Sequence, residues 1–313
     1  MIKNHYGREQ IGMVLVAAIV GTAFLMIVGT VFAVNISTSV VVDNASPAVS
    51  TVKVNDDSDV NLTENSTTNV NVIGTITDDN GCTDVNAGTA VVLLYRQGIT
   101  SSTCNGSQNA LNCYKATAFT ATSTCAAGSQ NTTTTFAVQY FAQATDASSS
   151  FPTQNWMATI IFTDPQAASG NKDSQSGSTP DVITLIGINV TTSSINYGAV
   201  AANTNTQAVN QTASSTNAGN SSTTLQLRAS ATLTSAPNSI TTSSQHYATS
   251  SFTYNSGETE LSETLTTVTG FLLTAPTSTV KVSGQTLWGL AVPNGTPTGT
   301  YSGTNVFSAL FQP

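Results

Sequence analysis

Charge is scarce in this chain. Asp, Glu, Lys and Arg make up 8% of its 313 residues, against about a quarter in an ordinary soluble domain. Basic residues are the scarcest: beyond Val34 there are six Lys and Arg against fifteen Asp and Glu. A nucleic-acid binder needs a basic footprint, so nucleic acid is excluded as a partner, and an anionic lipid surface is disfavoured on the same ground. Histidine is nearly absent, and His246 is the only one beyond the amino-terminal segment. It lies in "SSQHYATSS", and no serine sits in a GxSxG elbow, so it reads as an exposed loop histidine and not as part of a hydrolytic triad. Glu258, Glu260 and Glu263 are the clustered glutamates. Glu258 and Glu260 share one face of an extended segment and read as a solvated acidic edge, not a glycosidase pair. "GTPTGTYSGT" lacks the Lys and the following helix of a phosphate-cradling loop. No cysteine pair has CxxC spacing, so zinc is a poor fit. These absences point to a protein that is not an enzyme.

One long hydrophobic run stands out. Residues 11–34, "IGMVLVAAIVGTAFLMIVGTVFAV", carry no charge. As a helix they would span about 36 Å, enough for a bilayer core of about 30 Å. The flank 1–10, with Lys3 and Arg8 against Glu9, predicts a cytoplasmic start. Three readings compete: an uncleaved signal-anchor, a signal peptide cleaved after Val31-Phe32-Ala33, or a pilin-like amino terminus with a leader ending at Gly7. Residues 35–45 form a short neck.

The remainder of the chain is rich in Thr and Ser, which number 54 and 37 of the 313 residues, with small apolar residues in alternation. "NVNVIGTIT" places Val70, Val72 and Ile76 on one face, "TFAVQYF" Phe136, Val138 and Tyr140, and "NWMATIIFT" Trp156, Ala158, Ile160 and Phe162. "TAVVLLYR" is denser, as in a central strand. Period two between turn formers predicts half-buried strands. The expected fold class is all-β: an amino-terminal transmembrane or filament-core helix, then two antiparallel immunoglobulin-like β-sandwich domains at 46–165 and 181–313. The Gly- and Ser-rich stretch 166–180 is expected to be a flexible linker. In the second domain "TTLQLRASATL" aligns Leu225, Leu227, Ala229, Ala231 and Leu233, and "TVKVSGQTLWGLAVP" aligns Val280 with Val282 and Trp288 with Leu290 and Val292.

Cys82, Cys104, Cys113 and Cys125 fall within 44 residues. An even count in an exported chain predicts two disulfides, and three pairings are possible. Nesting alone favours Cys104–Cys113 with Cys82–Cys125. Calcium is the candidate cofactor, because hard cations take carboxylate oxygens. "NDDSD" supplies Asp56, Asp57 and Asp59, and "DDNGCTD" supplies Asp78, Asp79 and Asp84. The competing reading is that these aspartates make turns.

Several stretches carry a resemblance: "SPAVSTVKVN", "LTENSTTNVNVIGTITDDNGCTD", "YRQGI" with its nearby cysteines, "NWMATIIFTD", "SSINYGAVAANTNTQAVNQTASSTNAGNSS" and "LWGLAVPNGTPTGTYSGTNVF". In these the chain resembles uncharacterised exported, membrane-anchored cell-surface proteins of candidate-phylum bacteria and archaea. The resemblance implies a surface location and two β-domains, and no activity. The expected function is a non-catalytic cell-surface structural or adhesive protein. The alternative is a pilin-like subunit of an extracellular filament whose amino-terminal helices pack as its core. Expected partners are the membrane, through the amino-terminal helix, and a second copy, a surface protein or a glycan. The expected location is the cell membrane, single-pass with the carboxy-terminal part outside, or an extracellular filament.

Overall fold

Alternating apolar residues organise two sets of antiparallel sheets. The computed structural model describes residues 36–174 and 180–312. It divides into two compact units, Met1–Asp43 and Asn44–Pro313. In the first unit, residues 36–42 have no regular structure, and Ile36, Val40, Val41 and Val42 are exposed.

The second unit begins with eight strands. They are β1 (Ala48–Val54), β2 (Thr67–Thr77), β3 (Thr89–Arg96), β4 (Cys113–Ala116), β5 (Thr120–Ala121), β6 (Ser129–Gln139), β7 (Trp156–Thr163) and β8 (Ser169–Asp173). They form two sheets, ordered β1-β2-β6-β5 and β4-β3-β7-β8. The longest pairing, β2 with β6, runs in unbroken antiparallel register from Thr67–Gln139 to Thr77–Ser129. Val70, Val72 and Ile76 point inward, as their spacing predicted, and meet Val92, Leu94, Trp156, Ile160 and Phe162 from the facing sheet. Threonines share this interior without breaking it. Thr132 and Thr134 are buried, and their hydroxyls donate to the carbonyls of Gly74 (3.3 Å) and Ala118 (3.1 Å), which offsets the cost of burying them.

The dense run in β3 has a specific cause. Val92 and Leu94 face the sandwich core, while Leu93 and Tyr95 are buried on the opposite side beneath Cys104 and Cys113. A strand covered on both faces needs apolar residues at successive positions, not alternate ones. The cover comes from one of two short helices, α1 (Cys82–Ala87) and α2 (Ser101–Gly106). Thr100 caps α2 by accepting from the Thr103 N–H at 3.1 Å.

Eleven further strands complete the unit. They are β9 (Ile188–Val190), β10 (Thr204–Asn205), β11 (Gln211–Asn217), β12 (Thr223–Ala229), β13 (Leu233–Ser235), β14 (Asn238–Ile240), β15 (Gln245–Ala248), β16 (Thr259–Glu260), β17 (Thr266–Thr267), β18 (Ser283–Val292) and β19 (Asn305–Phe311). One sheet is ordered β16-β15-β18-β11-β9 with β10 also pairing β18, a second β17-β12-β19, and β13-β14 is a separate ribbon. Leu225, Leu227, Ala229, Tyr247 and Trp288 fill the space between the two sheets. The expected alignment breaks at two places: β12 ends at Ala229, and Val280 lies before β18 and is exposed.

Residues 169–173, inside the stretch read as a linker, pair with β7 as β8. Backbone pairing needs no bulky side chains, so a Gly- and Ser-rich composition does not prevent it. Beyond it the chain docks on the first sandwich: the Val60 N–H donates to Asp181 O (2.8 Å) and the Ile183 N–H to Val60 O (3.0 Å). Asn220 adds bonds from Nδ2 to Ala142 O (3.0 Å) and Ile183 O (3.2 Å).

The hydrophobic run 11–34 lies outside the described residues. Among the described residues no helix is long and apolar enough to cross a membrane; α1 and α2 are six residues each, about 9 Å against a core of about 30 Å. This corrects the expected fold class. The described architecture is all-β, with antiparallel sheets arranged as immunoglobulin-like sandwiches and without a transmembrane helix. The signal and anchor readings, the membrane as a partner and the single-pass location are withdrawn with it.

Candidate functional site

The structure pairs Cys82 with Cys125 and Cys104 with Cys113. The first bridge ties the start of α1 to the loop before β6. The second fastens α2 to β4, with both sulfurs buried over Leu93 and Tyr95.

The six aspartates weighed for calcium do not converge. Among the described residues no three His, Cys, Asp or Glu side chains are grouped to hold a metal ion. Asp56 and Asp57 pair with Lys53 at 3.7 and 2.7 Å. Asp59 accepts from the Asp181 N–H (3.0 Å), helping to seat the connection between the sandwiches. Asp78 accepts from the Asn80 N–H (2.8 Å) within its own turn. Asp79 follows in the same turn, and Asp84 is buried in the first turn of α1.

His246 differs from its expected place. It is a buried residue of β15, not an exposed loop residue. Its Nδ1 lies 2.8 Å from Glu258 Oε1 and its Nε2 lies 3.0 Å from Ser243 O. The ring stacks on Tyr254 at 4.3 Å. With both nitrogens facing acceptors, neither is left to take a proton from a nucleophile. Glu258 is likewise no solvated edge residue, since its side chain is 1% exposed. Burial opposes its charge, yet hydrogen bonds from His246 and from the backbone N–H groups of Asn255 and Ser256 prevail and hold its carboxyl down to about 2. Glu260 remains exposed.

A carboxyl depressed in the folded state stabilises the fold above its ordinary value and loses that contribution as it is protonated. The unfolding free energy is therefore expected to fall as pH drops from about 4.5 to about 2. Glu258→Gln should flatten the profile of urea unfolding against pH within that window. An unchanged slope in the variant would remove Glu258 as the cause.

The second sandwich holds a trough of about 1080 Å³. Its walls are two irregular segments, 192–202 and 296–304; its floor includes Leu290, Gln245, Asn305 and Phe307. Among the described residues no charged side chain lines it. At the floor, Tyr197 Oη donates to Gln245 Oε1 (3.2 Å), and Asn305 Nδ2 donates to the same oxygen (3.0 Å). Gln245 Nε2 and Asn305 Oδ1 are buried without partners. Burial, with Tyr254 adding to it, pushes the Tyr197 hydroxyl well above its ordinary value, so it stays a neutral donor at physiological pH. Sequence reasoning missed this site because its walls, "TSSINYGAVAA" and "TPTGTYSGT", carry no binding motif.

The other notable surface is the edge of β19, "NVFSALF". The Gln312 N–H donates to Ser222 O (3.0 Å) and the Ser230 N–H to Thr304 O (2.8 Å). With the register Thr223–Phe311 to Ala229–Asn305, residues 306, 308 and 310 bond to β12. In an antiparallel ladder the alternate residues, Asn305, Phe307, Ala309 and Phe311, then turn their backbone groups away from it. Among the described residues no strand pairs with that side. The other described edges are blunted. β1 carries Lys53 and a register shift, β4 carries Lys115, and β8 carries Lys172 and Asp173. The edges β5, β9, β10, β13, β14, β16 and β17 have two or three residues each. Charge, irregularity and shortness are the usual protections of sheet edges, and β19 has none of them.

No family model matches the chain, and no curated protein matches it. Solved structures give distant matches. One is the CsuC–CsuE chaperone–tip adhesion subunit pre-assembly complex from archaic chaperone-usher Csu pili of Acinetobacter baumannii. It is 9% identical, covering 85% of this chain and 100% of that one, with a TM-score of 0.36. Another is a 1.5-MDa bacterial ice-binding adhesin, 11% identical, covering 80% of this chain and 67% of that one, with a TM-score of 0.23. At these scores neither fixes a fold or a function for this chain. The resemblance to exported, membrane-anchored surface proteins is supported by none of these comparisons or by any described helix, and it is withdrawn.

Proposed function

We propose that this chain is a non-catalytic structural or adhesive protein that works by contact, joining the free edge of β19 to that of a second copy. The observation that carries this reading is β19 itself: seven residues without charge, bulge or proline, with one row of backbone groups turned away from the sheet. Antiparallel pairing of β19 with β19 of another copy sets uncharged residues opposite one another and extends the sheet across both molecules. Two disulfides support assembly in an oxidising compartment. The occupied nitrogens of His246 support a role without turnover.

Leu310 is already 40% exposed, so Leu310→Lys tests the edge without disturbing the core. The full chain is expected to associate with rising concentration in sedimentation equilibrium. Leu310→Lys should weaken that association about tenfold or more, with thermal unfolding unchanged. A chain that stays monomeric, or a variant that associates as tightly, would overturn the reading.

A further inference from the structure

We infer that the trough over Tyr197, Gln245 and Asn305 is a binding site for a neutral saccharide. This goes beyond contact at β19 and does not rest on it.

Three observations define the ligand. First, among the described residues the roughly 1080 Å³ trough is lined by no Asp, Glu, Lys, Arg or His. A charged ligand entering it would lose water and find no countercharge, so the occupant is neutral. Second, the lining mixes hydroxyls and amides with the rings of Tyr197, Tyr301 and Phe307. Rings with a polar tip suit a ligand that has both apolar faces and hydroxyls, which is the chemistry of a sugar ring. Third, two lining residues hold a buried donor, Gln245 Nε2, and a buried acceptor, Asn305 Oδ1, each without a hydrogen-bond partner. Gln245 is 1% exposed. Orphaned buried groups are costly, about 1–3 kcal/mol each in general. A hydroxyl both accepts and donates, so sugar hydroxyls match the chemistry of both groups. The shared oxygen, Gln245 Oε1, is held by Tyr197 and Asn305, so the amide is fixed in place before any ligand arrives. The volume is of the order of small-molecule sites, about 300–1,000 Å³.

The test titrates the full chain with maltose, cellobiose and N,N′-diacetylchitobiose, using sialyllactose as the anionic control, followed by heteronuclear NMR. Saturable shifts are expected for at least one neutral disaccharide, at residues 192–202 and 296–305, with none for sialyllactose. Tyr301→Ala, at the rim, should weaken binding about tenfold while leaving the fold intact, and Gln245→Leu should do the same or more. Leu310→Lys should leave binding unchanged, which separates this site from the β19 edge. The inference is overturned if no neutral disaccharide binds at millimolar concentration, if sialyllactose binds equally well, or if Tyr301→Ala binds as tightly as the parent.

Discussion

Replacing Cys82 and Cys125 together by Ala is expected to lower the unfolding free energy by roughly 4 kcal/mol. The bridge closes a separation of 43 residues, so its loss frees a long loop in the unfolded chain. The folded chain has little to offset that loss, because α1 is short and only Asp84 and Val85 of it are buried. Removing Cys104 and Cys113, separated by nine residues, releases less chain entropy, roughly 3 kcal/mol. It adds a local packing loss, since both residues cover Leu93 and Tyr95. The two double variants are therefore expected to be similar in total effect and different in kind. Urea unfolding gives the totals, and hydrogen exchange along β3 gives the distinction. Protection of the β3 amides should fall selectively in the Cys104/Cys113 variant. A change under about 1 kcal/mol for the Cys82/Cys125 variant would mean that the unfolded chain is not constrained by that loop.

Trp156→Ala is expected to cost about 3–5 kcal/mol and to loosen the seat of the second sandwich. Trp156 is 1% exposed and packs beside Tyr114, with ring centroids 6.0 Å apart. Its Nε1 donates to Gln143 O at 2.9 Å, and its own N–H donates to Pro180 O at 3.0 Å. Gln143 also accepts from Arg96 Nε at 2.8 Å, and the Arg96 guanidinium lies 3.7 Å from the centre of the Phe151 ring. Removing the indole thus opens a cavity and takes a donor from the half-buried Gln143 carbonyl, in the network that holds the chain as it leaves β7. Trp156→Phe keeps a six-membered ring but loses the hydrogen bond and the volume of the second ring, so it is expected to cost about 1–3 kcal/mol. Chemical denaturation of the two variants separates the packing contribution from the polar one. Equal losses in both would assign the effect to what both lack, the Nε1–H donor and the second ring, and not to the rest of the side chain.

Local periodicity made the strands of the first sandwich legible. Val70, Val72 and Ile76, and Trp156, Ala158, Ile160 and Phe162, are inward-facing sets that a strand's geometry dictates without reference to the rest of the chain. The density of "TAVVLLYR" was visible too, but its cause was not, because it depends on a disulfide-bound helix arriving from the next loop. Long-range partners were hidden for the same reason. His246 and Glu258 are twelve residues apart, and the turn between them decides whether they meet. β8 was hidden because "SGNKD" pairs through its backbone, which composition does not report. The trough was hidden because a cavity is a property of the gaps between segments. Glycine- and threonine-rich walls look the same in sequence whether they enclose space or simply turn. The apolar run 11–34 was the loudest signal in the sequence, and it lies outside the described residues, among which no helix is long and apolar enough to cross a membrane.

Amide hydrogen exchange of the full chain, measured at several protein concentrations, tests most directly whether β19 presents an open edge that a second copy completes. The amides of Phe307, Ala309 and Phe311 should exchange quickly in dilute solution and become protected as concentration rises. Those of Val306, Ser308 and Leu310, already bonded to β12, should be protected throughout. If the outward amides exchange quickly at every concentration, or are protected even at the lowest, β19 is not an edge awaiting a partner and the contact reading is wrong.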